Sequence, residues 1–159
     1  TVIDSIIGAH RIYILGLRSS GVLAGFLSFY FNHIFEDVVN VGAAQGETFE
    51  QMLRIGPNDV LIAISFPRYT KRVVTALEDM HRRGVPIALI TDKGLSPVHP
   101  FADIVFHCAT DSSAFLPCYT GCLALIDVIC QAVCMEHRSE ITEYVRDLEK
   151  RLLAQGVWM

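Results

Sequence analysis

Residues 59–84 read DVLIAISFPRYTKRVVTALEDMHRRG and contain a strand, a polar turn and a helix in succession. The predicted strand at residues 59–65 contains an unbroken apolar run, residues 60–64, which is typical of a strand in a parallel sheet covered on both faces. After Thr70 the apolar residues recur at helical spacing, and Gly84 ends the helix. This stretch predicts one strand-turn-helix unit of an α/β fold.

The same unit recurs along the chain. Strands are predicted at residues 11–16, 38–41, 59–65, 87–90 and 103–108. Helices are predicted at residues 22–34, 47–54, 70–83, 117–136 and 139–153. Crossovers of this length join parallel strands by right-handed connections. We therefore predict one domain over residues 1–159, an α/β fold with three layers and a doubly wound, flavodoxin-like sheet of five parallel strands in the order 2-1-3-4-5.

Two turns with hydroxyl side chains directly follow strands one and three. They are residues 16–21, GLRSSG, and residues 65–70, SFPRYT. In a sheet of this order the chain reverses direction between those two strands, and ligands bind outside their carboxyl ends. Each turn also opens a helix, whose amides and positive dipole end attract an anion. We predict that a small phosphate ester binds here. The candidate binding residues are Arg18, Ser19, Ser20, Ser65, Arg68 and Thr70.

Each of these candidates also has a purely structural explanation. Thr70 either binds the anion, caps its helix or does both, and Ser65 is either a ligand or a polar strand end. The guanidinium of Arg18 either reaches the anion, stays in solvent or blocks the pocket. Arg68 is either a ligand or an interface contact. The residue types alone leave these alternatives open.

Composition restricts the class of partner. Thirteen Lys and Arg residues and 17 Asp and Glu residues give a net charge of −4. Because the basic residues do not form a stripe, direct binding of nucleic acid is not expected. Hydrophobic residues make up 52% of the chain, more than its own core needs, which predicts a homo-oligomer, a dimer or a tetramer.

Composition also indicates the cellular compartment and argues against membrane insertion and metal binding. The apolar tract at residues 114–135 contains Pro117, Asp127 and Gln131, so a membrane span is not expected. The five cysteines are an odd number without a disulfide framework, which fits a reducing cytoplasm. They form no pattern of metal ligands. We therefore expect neither a metal nor a cofactor.

Several short segments together resemble a known family. The matching segments are residues 16–21, 64–66, 68–71, 90–92, 95–97, 102–103 and 122–125. Through them, residues 3–137 resemble a sugar isomerase (SIS) domain, and most of all the effector domain of RpiR-type bacterial transcription regulators. The resemblance implies that hydroxyls of the two turns hold the phosphate of a phosphosugar, at Ser19 or Ser20 in the first turn and at Ser65 and Thr70 in the second.

The chain departs from the family pattern at two positions of the site. Arg18 replaces the family's usual second glycine, and Pro67 replaces a residue that is usually Ser. The proline removes a hydroxyl and an amide donor from the phosphate site. The resemblance further implies a DNA-binding helix-turn-helix domain upstream and outside this chain, which begins at Thr1 without a Met.

Three more residues are candidates at the same end of the sheet. Ser112 and Ser113 lie between strand five and the long helix, where they either meet the sugar hydroxyls or cap that helix, and capping is favoured. Glu47 is a weaker candidate, as the one carboxylate near the end of strand two that would serve as a base. No Glu and His pair is placed for proton transfer, so no residue is predicted to be catalytic.

Three functions are compatible with these observations. The favoured one is a phosphosugar-binding, effector-sensing and dimerisation domain of a transcriptional regulator of carbohydrate metabolism. DNA would then be contacted only through the missing domain. The second is an isomerase of aldose and ketose sugar phosphates, which needs a base near C1 and C2. The third is a structural module that only dimerises.

Overall fold

A computed structural model describes residues 2–42, 48–92, 94–113, 115–136 and 138–156. Its strands are β1 (Ile12–Gly16), β2 (Val38–Asn40), β3 (Val60–Ile64), β4 (Ile87–Thr91) and β5 (Ile104–His107). Its α-helices are α1 (Val2–Ile7), α2 (Ser19–Phe31), α3 (Thr48–Met52), α4 (Lys71–Arg82), α5 (Thr120–Glu136) and α6 (Arg138–Ala154). A short 3-10 helix, His99–Phe101, precedes β5.

The five strands form one parallel sheet in the order β2-β1-β3-β4-β5. This confirms the predicted fold class, strand count and strand order. Strands β1 and β3 are neighbours over their full length, and Gly16 lies opposite Ile64 at their carboxyl ends. The two hydroxyl-bearing turns therefore start side by side.

Helices cover both faces of the sheet. Alternate residues of β1 show this directly, because Ile12 and Ile14 pack into a cluster with α1, α2 and α5. Tyr13 and Leu15 pack instead into a cluster with α3 and α4. All five residues of β1, β3 and β4 are buried, as expected for strands between two helical layers.

Some helices differ from the sequence prediction. Helix α2 begins and ends three residues earlier than predicted, at Ser19 and Phe31. Helix α1 was not predicted, since its six residues are too few for a periodic pattern to stand out. The 3-10 helix was also missed, within a stretch interpreted as loop. Helix α5 begins at Thr120, later than the predicted start near Pro117.

The α1, α2 and α5 layer has an apolar outer surface. On α2, Leu23, Ala24, Leu27 and Phe31 are buried against the sheet. Four other apolar residues of α2 are exposed, namely Val22, Phe26, Phe29 and Tyr30. On α5 the exposed apolar residues are Leu123, Val128 and Met135.

Among the described helices none is by itself long and apolar enough to cross a bilayer. Only α5 and α6, taken together across a sharp bend, reach that length and composition.

Candidate functional site

A cavity of about 290 Å³ lies where the two turns meet. We call it the turn cavity, and it is lined by residues 17–20, residues 64–70 and Val73. Only glycine allows the chain to pack this closely at position 16, because a Cβ at Gly16 would overlap the backbone of Ser20. The structure thus brings together six candidates, namely Arg18, Ser19, Ser20, Ser65, Arg68 and Thr70.

Thr70 has the most informative environment of the six. It is the N-cap of α4 and has extended backbone angles, yet its side chain makes no capping hydrogen bond. Its Oγ1 atom is buried and has no hydrogen-bond partner in the described part of the chain. A buried hydroxyl without a partner costs about 1–3 kcal/mol. The capping alternative for Thr70 is therefore not what the structure shows, and its hydroxyl lacks a partner at the wall of the cavity.

The three serines of the turns differ in exposure. Ser65 is buried at the end of β3, where its amide donates to the carbonyl oxygen of Ile90 at 3.0 Å. Ser20 is buried in the first turn of α2. Ser19 is exposed, and its hydroxyl lies 2.9 Å from the hydroxyl of Tyr119. This contact connects the first turn to the segment that precedes α5.

Both arginines of the site have backbone angles that favour glycine. Arg18 has φ 58° and ψ −126°, and Arg68 has φ 68°. Among the described residues, no other non-glycine residue has a positive φ. Such conformations cost about 1–3 kcal/mol each and occur often at functional sites. Sequence reasoning found both side chains but did not predict the positive φ angles, which occur at the cavity.

The turn cavity is electropositive. Its lining includes the two arginines and, within the described chain, no Asp or Glu. Neither guanidinium has an ion-pair or hydrogen-bond partner in that part of the structure. The N-termini of α2 and α4, helices of 13 and 12 residues, begin at the same cavity and add the positive ends of their dipoles. The arrangement can hold a small dianion.

Tyr69 is a residue of the cavity wall that the sequence analysis did not single out. Its hydroxyl donates a short hydrogen bond to the carboxylate of Asp92, directly after β4. Burial, together with this carboxylate, raises the pKa of Tyr69 to about 12. The phenol is therefore neutral at physiological pH. Its hydrogen bond to Asp92 links the second turn to the end of β4.

A second cavity of about 250 Å³ adjoins the first. We call it the side cavity, and it shares Phe66, Pro67 and Arg68 with the turn cavity. The rest of its lining comes from the β5–α5 segment, namely Thr110, Asp111, Ser112, Phe115, Leu116, Pro117 and Tyr119. The ring of Tyr119 lies 5.5 Å from that of Phe66. Most of these residues were missed because they are about 45 positions away from the second turn in sequence, a separation that no local pattern bridges.

The remaining candidates have different outcomes. Ser112 lines the side cavity, whereas Ser113 is exposed and lines neither cavity. The favoured interpretation that these serines cap the long helix is wrong, because α5 begins only at Thr120. Glu47 lies outside the described residues, so its candidacy as a base stays a prediction.

No metal centre is evident in the described part of the chain, where no three potential ligands cluster. Cys122 and Cys130 are buried in α5, and burial raises the pKa of each thiol to about 12. Such thiols are protonated at neutral pH and pack as small apolar groups.

A third cavity of about 440 Å³ lies beside α3 and is lined by Arg11, Tyr13, Val39, Glu50, Gln51 and Arg54. None of the predicted site residues lines it. The guanidinium of Arg11 already pairs with the carboxylate of Asp37 at 2.6 Å. The third cavity is therefore a poorer anion site than the turn cavity.

Comparison with known proteins agrees with the fold. A family model described as SIS domain matches residues 5–132. A search of curated proteins finds no match. The sugar isomerase domain of an RpiR transcription factor from Sphaerobacter thermophilus superposes with a TM-score of 0.87 at 22% identity, over 94% of this chain and 83% of that chain.

Two further structures show how widely the fold is used. The Vibrio vulnificus NanR protein complexed with ManNAc-6P has a TM-score of 0.81 at 17% identity, over 97% of this chain and 59% of that chain. The chain thus spans about three fifths of NanR. Phosphoheptose isomerase GmhA from Neisseria gonorrhoeae has a TM-score of 0.66 at 14% identity, over 83% of this chain and 80% of that chain. A transcription factor domain, a protein complexed with ManNAc-6P and an isomerase therefore share this architecture.

Proposed function

The chain belongs to the SIS domain family, and from that premise we propose that it binds the phosphate group of a phosphosugar in the turn cavity. The observation that carries the proposal is the unpartnered hydroxyl of Thr70, buried at the wall of a cavity that has two arginines and no described carboxylate. A phosphate oxygen would accept a hydrogen bond from that hydroxyl and offset its desolvation. The amides at the starts of α2 and α4 supply further donors.

The favoured role is sensing. A phosphosugar is bound without being converted, and its occupancy is transmitted to a DNA-binding domain outside this chain, in a cytoplasmic regulator of carbohydrate metabolism. Two of the structural relatives are a transcription factor and the NanR protein complexed with ManNAc-6P, which supports this role over a purely structural one. The residues that we assign to phosphosugar binding are Arg18, Ser19, Ser20, Ser65, Arg68, Thr70 and Ser112.

The second candidate function is sugar-phosphate isomerisation, and the likeness to phosphoheptose isomerase favours it. Isomerisation through an enediol needs an acid and a base at the substrate, each contributing about 10²- to 10⁴-fold. The described lining of the turn cavity includes no Asp, Glu or His, which supports the sensing role. NMR measurement of deuterium uptake at C2 of hexose and pentose phosphates tests this choice, and steady uptake would establish the isomerase instead.

Calorimetric titration of Thr70→Val tests the proposed phosphate site. We expect this variant to bind sugar phosphates about 10- to 100-fold more weakly than the wild type, because a hydrogen bond to a charged group is worth about 1.5–3 kcal/mol. Thr75→Val is the matched control, since Thr75 is exposed on α4 and lines neither cavity. The melting temperature of Thr70→Val should not fall, because no capping bond is lost. Unchanged affinity in this variant would exclude the proposed phosphate site.

A further inference from the structure

The proposed phosphate site does not use the side cavity. The position and lining of the side cavity indicate a different role. On the basis of the proposed function, we propose that the side cavity receives an N-acyl group of the bound sugar, so that the ligand is a phosphorylated N-acylamino sugar. The proposal concerns the part of the ligand beyond the phosphate and its ring.

The first observation is continuity between the two cavities. Phe66, Pro67 and Arg68 form a wall of both. A ligand whose phosphate is held between the turns therefore reaches the side cavity by extending past this wall. The turn cavity, at about 290 Å³, is slightly smaller than the range for small-molecule sites, roughly 300–1,000 Å³. The adjoining cavity of about 250 Å³ provides room for a substituent that a plain hexose phosphate lacks.

The second observation is the mixed chemistry of the lining. Phe115, Leu116 and Pro117 offer an apolar surface, and the side chains of Asp111 and Ser112 are polar. An acyl group needs this combination, because its methyl group prefers apolar contacts while its amide needs an acceptor for N–H and a donor for C=O. A carboxylate can accept several hydrogen bonds, and a serine hydroxyl can both donate and accept, so each can contact the acyl group beside the interaction that it makes within the protein.

The third observation is the exposure of two apolar side chains at this cavity. Phe115 is 90% exposed and Leu116 is 68% exposed. Covering part of this surface with a methyl group removes apolar area from water. This apolar surface adjoins the phosphate site through the shared wall, so the ligand bound at that site covers the surface.

Calorimetry with matched ligands tests the proposal. The probes are the 6-phosphates of N-acetylglucosamine, glucosamine and glucose, and the corresponding three compounds of the manno series. We expect the wild type to bind the N-acetyl compound about 10- to 100-fold more tightly than the plain hexose phosphate in at least one series, the range for a small apolar group in a fitted pocket. Leu116→Ser should reduce this preference to a few-fold and leave the affinity for the plain hexose phosphate unchanged, because Leu116 lines only the side cavity.

The control is Leu53→Ser, because Leu53 is also exposed but lines neither cavity. It should keep the wild-type preference. If plain and N-acetylated compounds bind the wild type equally, the acyl assignment is wrong while the phosphate site stands. If no sugar phosphate binds, both proposals fail. If Leu116→Ser keeps the preference but dissociates an oligomer in light scattering, this surface covers a second copy of the chain and the acyl assignment is wrong.

Discussion

Arg18 and Arg68 have side chains suited to an anion and backbones suited to glycine. Their φ angles of 58° and 68° put both in a region where a Cβ is strained, at a cost of about 1–3 kcal/mol each. The sequence resemblance places Arg18 where the family usually has glycine, so a strained backbone here would accompany a gain of positive charge. Stability and ligand affinity should therefore respond in opposite directions when this side chain is removed.

We expect Arg18→Gly to raise the melting temperature and to weaken phosphosugar binding. Relief of the strained backbone exceeds the entropy that glycine adds to the unfolded chain, for a net gain of about 1 kcal/mol, or about 2–4 °C. Loss of a charge-assisted contact should weaken binding about tenfold. Differential scanning calorimetry and titration on the same samples check both effects. Arg82→Ala, which removes the same charge from an exposed site on α4, should alter neither. Tighter binding in Arg18→Gly would instead show that Arg18 blocks the cavity.

Tyr69 makes stability depend on pH in the alkaline range. The folded-state pKa of about 12 is above the ordinary value of 10.0, so the folded protein retains the phenol proton that the unfolded chain releases first. The associated stabilisation is complete below pH 10 and is lost as the pH rises to 12. Thermal melts of wild type and Tyr69→Phe between pH 9 and 12 check this, and the wild type should lose more stability over that range. Parallel pH profiles for the two proteins would contradict it.

At the scale of elements, the strands could be predicted from the sequence almost to the residue. Strands buried on both faces leave continuous apolar runs, and β3 and β4 are of this kind. Helix α1 has no such signal because it is only six residues long and has one buried residue, Ile6. The late start of α5 follows a proline whose neighbours do not form a helix, and local propensity gave no boundary there.

Arg83 connects two elements on the α3 and α4 side of the sheet. Its guanidinium donates to the carbonyl oxygens of Met52, the last residue of α3, and of Leu53 and Ile55, which follow that helix. A planar fork of donors can satisfy several carbonyls at once, which an ammonium does less well. The sequence could not reveal this contact, because the partners are about 30 residues apart.

We expect Arg83→Ala to lower the free energy of unfolding by about 1–2 kcal/mol. The loss is small for three hydrogen bonds because the side chain is partly exposed and water weakens them. Arg83→Lys should recover less than half of that loss. Urea denaturation measures both variants. If Arg83→Lys equals the wild type, the positive charge rather than the fork provides the stability.

At the scale of the whole molecule, the outer surface of α2 and α5 has no partner within the described chain. Val22 is 75% exposed, Phe29 is 61% exposed and Val128 is 62% exposed. Contiguous apolar surface of this kind is unfavourable in water and typical of interfaces. We therefore propose that the domain forms a homo-oligomer, at least a dimer, through α2 and α5, with the C-terminal helix as a further contact.

Light scattering at micromolar concentration checks the oligomer. The wild type should be at least a dimer, and Val22→Ser with Phe29→Ser should shift the equilibrium toward the monomer. Burial of apolar area contributes about 25 cal/mol per Å², so the loss of two central contacts is enough to dissociate a typical interface at that concentration. Leu53→Ser serves as the control on another surface. A clean wild-type monomer would contradict the interface.

The site as a whole illustrates what sequence reasoning can reach. The two turns could be placed together because strand order follows from crossover length, and the turns directly follow neighbouring strands. The contacts of Ser19 with Tyr119 and of Tyr69 with Asp92 could not be predicted, because they depend on how the turns and loops pack. The unpartnered state of the Thr70 hydroxyl is likewise a property of the packed molecule.

Phosphate recognition between the two turns is the central claim, and amide chemical shifts test it most directly. In ¹⁵N–¹H spectra of the labelled protein, addition of a bound hexose 6-phosphate should move the backbone amides of Ser19, Ser20, Thr70 and Lys71 most strongly. The corresponding unphosphorylated hexose at the same concentration should leave these four amides in place. The claim is contradicted if the largest shifts arise beside α3, or if the unphosphorylated sugar moves the amides of the turns as far as the phosphorylated one does.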